Sequence, residues 1–451
     1  MSAPTDGELL ALGDRVVAMA AAGEQVEAVV VRGLDTEIKV YEGEVESLSS
    51  AQSQGLGVRV VKDGRQGFAY AGALDDDVLA ETLAEARDNA RFGTFDEFAG
   101  LAEPDGVAPA ELALWSDALA SFPADHKVAL ALELERAVRA ADPRICGIES
   151  AEYVDSMSEM AIVTSTGIRS YSRGTGCYLS TYAMAEQDGE VQTGFGFSVG
   201  REPGELDVAR AAADAAERAT RMLGATKPST ERVTVVLDPW VTAQFLGILA
   251  FTLSGESVLK GRSLFADRLG EEVASPLVTL IDDPTDIRAF TATETDGEGL
   301  ATRRNVLIDG GRLERFVHNA YTARRAGTVS TGSAVRGFKS TPSVGCMATS
   351  LVPGSQSQEE LVRLVGDGVL VQDVAGLHSG VNPVSGDFST GAEGLRIRGG
   401  ELAEPVREFT IASTLQRMLR DVVAVGNDLQ WLPMSAAGVS LVIADVTVSG
   451  A

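Results

Sequence analysis

Three cysteines and three histidines in 451 residues leave little with which to build disulfide or metal chemistry. Cys146, Cys177 and Cys346 stand far apart and form no Cys-x-x-Cys pair, which excludes a disulfide framework and argues against a cysteine-based zinc site. All three are expected to be small buried hydrophobes in a reducing cytosol. His126, His318 and His378 are equally scattered. A zinc-peptidase helix needs two imidazoles on neighbouring turns, and the chain has no His-Glu-x-x-His window. Basic charge is short as well: 38 Lys and Arg against 65 Asp and Glu give a net −27. Such a surface repels phosphate backbones and no Lys/Arg run interrupts it, so nucleic acid is not expected as a partner. Solubility, or attraction of a cationic partner, is the better reading. Aromatic residues make up only 6%, so the cores must be built from Val, Leu, Ile and Ala. The most apolar run, 240–253, is too short to span a membrane. Met1-Ser-Ala-Pro-Thr-Asp-Gly-Glu has no basic region followed by an apolar core, so a cytoplasmic protein without a secretory leader is expected.

Other catalytic signatures are missing too. Neither Val329-Ser-Thr-Gly-Ser nor Val384-Ser-Gly-Asp-Phe fits the Gly-x-Ser-x-Gly of a serine hydrolase. No glycine-rich loop precedes a Lys-Ser/Thr pair, and Gly174-x-Gly is too short to cradle phosphate. Asp282-Asp283 and Asp296-x-Glu298 are acidic pairs of the kind that bind a hard cation. Capping of turns and strands is the favoured reading for both.

What is present is ordinary globular patterning, long enough for two or three domains. Helical spacing over 9–22 ends at Gly23, and 26–31 reads as a strand. Ile38, Val40, Val45 and Leu48 alternate with charges around Glu42-Gly43, predicting a half-wet hairpin. Asp63-Gly64 predicts another, followed by a helix over 78–90 with Asp75 as its N-cap. Residues 92–122 read as a long connection, then a helix over 126–141. Strands are predicted at 148–154, 160–164, 169–172 and 177–185, with turns at Ser165-Thr-Gly and Asp188-Gly, and a helix over 206–223. Lys227-Pro-Ser-Thr-Glu marks a linker, which divides the chain into 1–228 and 229–451. The second part predicts a strand at 233–237, an apolar helix over 239–253, strands at 277–282, 305–309, 312–317, 394–398 and 439–448, and helices over 358–365 and 414–421. The fold class is α+β: two domains of antiparallel β-meanders flanked by helices.

The densest punctuation lies in Gly380-Val-Asn-Pro-Val-Ser-Gly-Asp-Phe-Ser-Thr-Gly-Ala-Glu-Gly394, four glycines and an Asn-Pro that predict a loop with an unusual backbone path. Together with Gly399-Gly400-Glu401, Pro405-Val406 and Thr410-Ile-Ala412, this stretch resembles the TldD/PmbA family, once described as modulators of DNA gyrase. Glu42-Gly-Glu-Val-Glu, Gly55-Leu-Gly-Val-Arg-Val, Asp296-Gly-Glu-Gly299 with Thr331-Gly332 and Arg336, and Val425-Gly-Asn-Asp428 extend the likeness, in order, over nearly the whole chain. The resemblance implies a choice between two arms. TldD-like members carry a His-Glu-x-x-x-His zinc motif on the first helix of the C-terminal domain and a cysteine ligand further on. With a PmbA (TldE)-like partner they form a heterodimeric metallopeptidase that trims unfolded peptides and matures some antibiotic peptides. Counted back from Gly261-x-Ser263-x-Phe265, the motif positions are held here by Leu246, Gly247 and Phe251, and 433–438 holds no cysteine. The chain therefore resembles the PmbA/TldE arm. That implies a metal-free subunit, with zinc in a TldD-like partner, and a substrate- or partner-binding wall formed by Asn382, Ser385, Gly386, Asp387, Phe388 and Ser389. A stand-alone homodimeric peptide-binding or scaffold protein is the alternative. A third possibility, an enzyme using carboxylates such as Asp387 or Asp296, has no spacing to support it. Ser413-Thr414 departs from the Gly-Asn common in the family at that point.

Overall fold

Turn chemistry builds the first sheet. The computed structural model of the chain describes residues 7–450, so the first six residues of the N-terminal stretch read above lie outside it. Helix α1 (Gly7–Ala18) leads into β1 (Gln25–Tyr41), β2 (Glu44–Lys62) and β3 (Arg65–Ala71). Glu42-Gly43 and Asp63-Gly64 have positive φ at both residues, the backbone that matches the right-handed twist of the strands they join. After α2 (Asp76–Phe92), α3 (Asp117–Ala120) and α4 (Ala124–Ala141) come β4 (Ile145–Thr164), β5 (Arg169–Gln187) and β6 (Glu190–Gly200), with Asp188-Gly189 forming a third such turn. The result is one antiparallel sheet in the order β3-β2-β1-β4-β5-β6. Its strands are long enough to carry two cores in tandem. Val26, Ala28 and Val30 lie under α1 and α2, while Ile38 and Val40 lie under α4 and α5 (Val208–Thr220). Helix α5 sits very close because Gly196 of β6 has no side chain: a Cβ there would be 1.9 Å from the Ala211 carbonyl.

Three expectations need correcting here. The four short strands of 148–185 are two long ones. Asp155–Glu159 and Arg173–Gly176 read as breaks because they are polar or glycine-rich, but they pair throughout, Asp155 with Cys177 and Ser158 with Gly174. Asp155 is tolerated because buried Lys127 of α4 reaches it at 2.5 Å. Cys146 is exposed, not buried, because the register shifts around it between Ile145 and Gly147; Cys177 is buried and Cys346 half-buried. Asp75 occupies the N-cap of α2 without a side-chain cap bond.

The second half opens with β7 (Glu231–Leu237), α6 (Pro239–Thr252) and α7 (Gly255–Leu259). A small sheet follows, β8 (Leu280–Asp282), β9 (Asn305–Asp309), β10 (Arg312–Leu313) and β13 (Thr349–Leu351), with α8 (Ala320–Ala326) and the pair β11 (Ala334–Val335) and β12 (Ser343–Val344) between. The strand expected over 312–317 stops at Leu313. Next come α9 (Gln358–Val365), β14 (Gly368–Ala375), α10 (Leu377–Gly380), β15 (Asp387–Arg398), β16 (Glu401–Thr414), α11 (Leu415–Arg420), β17 (Val422–Val425) and β18 (Leu441–Ser449). These complete a sheet in the order β16-β15-β14-β7-β18-β17. It is antiparallel except for β7 and β14, which run parallel with Val235 beside Val369. Helix α6, apolar all round, packs beneath it. The fold is α+β, and no helix among the described residues is long and apolar enough to cross a membrane.

Candidate functional site

The glycine-rich stretch is a loop only as far as Gly386; from Asp387 it is strand β15. The sequence reading took its later glycines for loop punctuation. They are places where another backbone comes close, as at Gly394, where a Cβ would lie 1.9 Å from the Leu370 carbonyl. The true loop is short and tied at both ends. Val381 bridges Phe388, and the Asn382 N–H donates to the Asp387 carbonyl at 2.9 Å. Inside it the Asn382 Oδ1 accepts from the N–H groups of Val384 (2.9 Å) and Ser385 (3.2 Å), and the Ser385 hydroxyl donates to Asp387 Oδ2 at 2.7 Å. Gly386 has φ +84°, and its carbonyl accepts from Leu415 N–H.

Of the six residues singled out in this stretch, Asn382, Ser385, Asp387 and Ser389 are exposed together on one rim. Gly386 is a buried turn residue. Phe388 points the other way, into the core, with its ring edge-on to Phe245 of α6 at 6.2 Å. The unusual Ser413-Thr414 lies directly across the strand pair, Thr414 beside Asp387 and Ser413 beside Phe388. Thr414 also caps α11, accepting from Arg417 N–H at 3.2 Å. Because Asn382 holds two N–H groups, Asn382→Ala should cost about 1 kcal/mol. It should also speed amide exchange at Val384 and Ser385 more than elsewhere, which hydrogen exchange would read directly.

Helix α6 carries the three positions where the family's zinc motif would fall. Ser263 anchors the count, since its hydroxyl donates to the Thr252 carbonyl at 2.6 Å at the helix end. Leu246 is 1% exposed inside the core, Gly247 faces outward, and Phe251 is 54% exposed. An aliphatic side chain, a glycine and a phenyl ring offer a metal no donor, so these positions do not fit a zinc ion. Among the described residues no three His, Cys, Asp or Glu side chains are grouped to hold one elsewhere. His318 is buried with Nδ1 3.2 Å from the Thr322 hydroxyl, and burial lowers its pKa. His126 and His378 are exposed at separate places.

A cluster of buried charges went unread in the sequence. Glu27 of β1 takes both nitrogens of a bidentate Arg59 fork (2.7 and 3.0 Å) and also Arg336, from beyond β11. Burial pushes the Glu27 carboxyl up, but Arg59 and Arg336 outweigh it and hold its pKa below the usual range. Arg59 lies 3.6 Å from Glu298, whose other oxygen accepts from Ala320 N–H at 2.8 Å. Asp296 caps three N–H groups, those of Glu298, Leu300 and Ala334. Asp296-x-Glu298 thus caps turns and closes an ion cluster between the halves. The available signal was one charge inside each of two apolar strand runs, Val26-Glu27-Ala28 and Val58-Arg59-Val60.

The other acidic pair makes a pH prediction. Asp282 Oδ1 accepts from Met347 and Ala348 N–H, its Oδ2 has no partner, and burial raises its pKa to about 6. A carboxyl whose folded pKa lies above its unfolded value favours the fold at acid pH and loses that contribution as pH rises through about 6. Asp282→Asn should therefore stabilise the chain at pH 8, on the order of 2 kcal/mol, and be nearly neutral at pH 4. Urea midpoints at the two pH values check this.

These features define a two-part α+β protein of the metallopeptidase-related kind, and comparison with known proteins gives the family. Residues 230–450 match the PmbA/TldA metallopeptidase C-terminal domain, 117–223 its central domain and 26–90 its domain 1. The chain belongs to the PmbA/TldD family. It is similar to Metalloprotease PmbA of Escherichia coli O157:H7, 28% identical over 427 residues, 94% of this chain and 92% of that protein. A metalloprotease of Methanothermobacter thermautotrophicus is 28% identical over 87% of this chain and 86% of its own length. The crystal structure of TldE from Thermococcus kodakarensis superposes with a TM-score of 0.89 at 25% identity, covering 99% of this chain and 100% of that one.

Proposed function

We propose that this chain is the metal-free, TldE-like subunit of a cytoplasmic peptidase whose zinc is supplied by a TldD-like partner. The observation that carries this reading is helix α6. In a family that includes proteins named metalloproteases, it holds Leu246, Gly247 and Phe251 where zinc ligands and a base would stand. The partner would contribute the metal, its activated water and the glutamate base. This chain would contribute walls. The exposed rim of Asn382, Ser385, Asp387 and Ser389 offers hydroxyl, amide and carboxylate groups to an extended, unfolded peptide, as proteolysis or peptide maturation requires. Phe251 and Gly247 give the outward face of α6 an apolar, small-residue surface suited to a protein neighbour.

Co-expression with a zinc-bearing homologue tests the reading. The two chains are expected to co-purify with one zinc per pair and to cleave an unfolded peptide only together. If the homologue alone cleaves at full rate, or never co-purifies with this chain, the reading is wrong. A second expectation follows from α6 itself. Restoring the motif with Leu246→His, Gly247→Glu and Phe251→His should not yield stoichiometric zinc, because position 246 points into the core while 251 points to solvent. Metal analysis of the purified triple variant decides it.

A further inference from the structure

Strand β2 runs well past its outer neighbour. β1 pairs with it over its whole length, but β3 pairs only with 56–62. From Glu44 to Ala51 the outer edge of the sheet therefore faces no other strand among the described residues. Every residue from Glu44 to Gln54 is exposed, on both faces of the sheet. The helical layer also ends too soon to cover it. Ile38 and Val40 of β1 are buried beneath α4, whereas their cross-strand partners Leu48 and Val45 are 50% and 43% exposed.

Sheet edges are ordinarily blunted by proline, lysine, a bulge or a covering element. Here the single register shift lies by Glu46, near the hairpin tip. Beyond it the run Ser47-Leu-Ser-Ser-Ala-Gln-Ser-Gln54 has no proline and no charge. Its side chains are mostly small, so a strand laid alongside meets open main chain and few obstacles.

We infer that this edge pairs with the same edge of a second copy of the chain, antiparallel about a two-fold axis between the two sheets. A two-fold perpendicular to the sheet sets residues of like parity opposite each other. Centred on Leu48, Ser49 or Ser50, it places Glu46 opposite Ser50, Gln52 or Gln54, and Glu44 opposite Gln52, Gln54 or Leu56. In none of these registers do acidic side chains oppose one another, which matters for a chain of net charge −27. The two Leu48 side chains come together on the α4 face, covering the apolar shoulder that each copy leaves bare. The joined sheets form one continuous twelve-stranded sheet, twice the six strands of each. This inference does not depend on the zinc-bearing partner: it uses a different surface, in the other half of the chain.

The test uses the full chain alone. Sedimentation equilibrium should show a dimer, and Leu48→Lys should weaken it at least tenfold in Kd while leaving the circular dichroism spectrum unchanged. In a Cys146→Ser background, Ser49→Cys should form an intermolecular disulfide on mild oxidation, because opposed residues in an antiparallel pair sit about 4.5–5.5 Å apart at Cα, within disulfide reach. Val329→Cys, exposed on another loop, should not. A chain that stays monomeric at millimolar concentration overturns the inference. So does a dimer that ignores Leu48→Lys and gives no Ser49 cross-link. A monomer that still binds the zinc-bearing homologue would overturn it while leaving the functional reading in place.

Discussion

Replacing Arg336 by alanine is expected to cost about 3–5 kcal/mol, the usual result of removing one member of a buried ion pair and stranding the other. The Arg336 side chain and its partner Glu27 are both fully buried, and Glu27 would keep only Arg59. By contrast Arg398→Ala, which breaks an exposed pair with Glu404, should change stability by less than about 1 kcal/mol. Urea unfolding of the two variants makes the comparison. A cycle that adds Glu27→Gln should recover part of the loss, with a coupling of about 1–3 kcal/mol. If Arg336→Ala and Arg398→Ala behave alike, the cluster does not hold the halves together. The loss should also loosen the cavity of about 520 Å³ lined by Arg336, Phe338 and the long strands, since Arg336 ties that wall to the sheet.

The second large effect is expected at Gly394. A methyl group there meets the Leu370 carbonyl at 1.9 Å and the Gln372 nitrogen at 3.1 Å, both of them main chain. Strand β15 would have to move away from β14, breaking ladder bonds in the middle of the second sheet. Gly394→Ala is expected to lose about 3 kcal/mol, the upper part of the range for overpacking, and to lower the soluble yield. Gly386→Ala is the useful contrast: its nearest neighbour is the Gln416 amide, which can swing aside, so the cost is chiefly that of left-handed φ, about 1 kcal/mol. Equal losses at the two positions would show that backbone approach is not what sets glycine in this strand.

How much of this was legible beforehand depended on distance along the chain. Glu42-Gly43, Asp63-Gly64 and Asp188-Gly189 announced their hairpins because the turn is decided by the residues in it. The helix Gln358–Val365 was readable from its own capping box, Ser357 with Glu360. What stayed hidden was decided by remote neighbours. Asp155 could sit mid-strand only because Lys127 reaches it. Phe388 looked like a loop residue because nothing local says that α6 lies behind it. Glu27, Arg59 and Arg336 are hundreds of positions apart at the extremes and gave no sign of one another. The missing zinc ligands on α6 were legible only through resemblance to a family in which others have them, because Leu246, Gly247 and Phe251 are unremarkable in themselves.

The parallel pairing of β7 and β14 bears on how the chain is made. Strand β7 leaves the ribosome soon after the first sheet is complete, but its neighbours do not exist yet: Val235 pairs with Val369 on one side and Ile443 on the other. Nearly half of the chain must be synthesised before this apolar strand gains either flank, and its second flank is the last strand to emerge. During that interval a nascent chain carries a folded first sheet and an unpartnered strand, the kind of intermediate that chaperones hold. Truncation before β18 should therefore be far more damaging than its few lost residues suggest, since it leaves the centre of the second sheet open on one side.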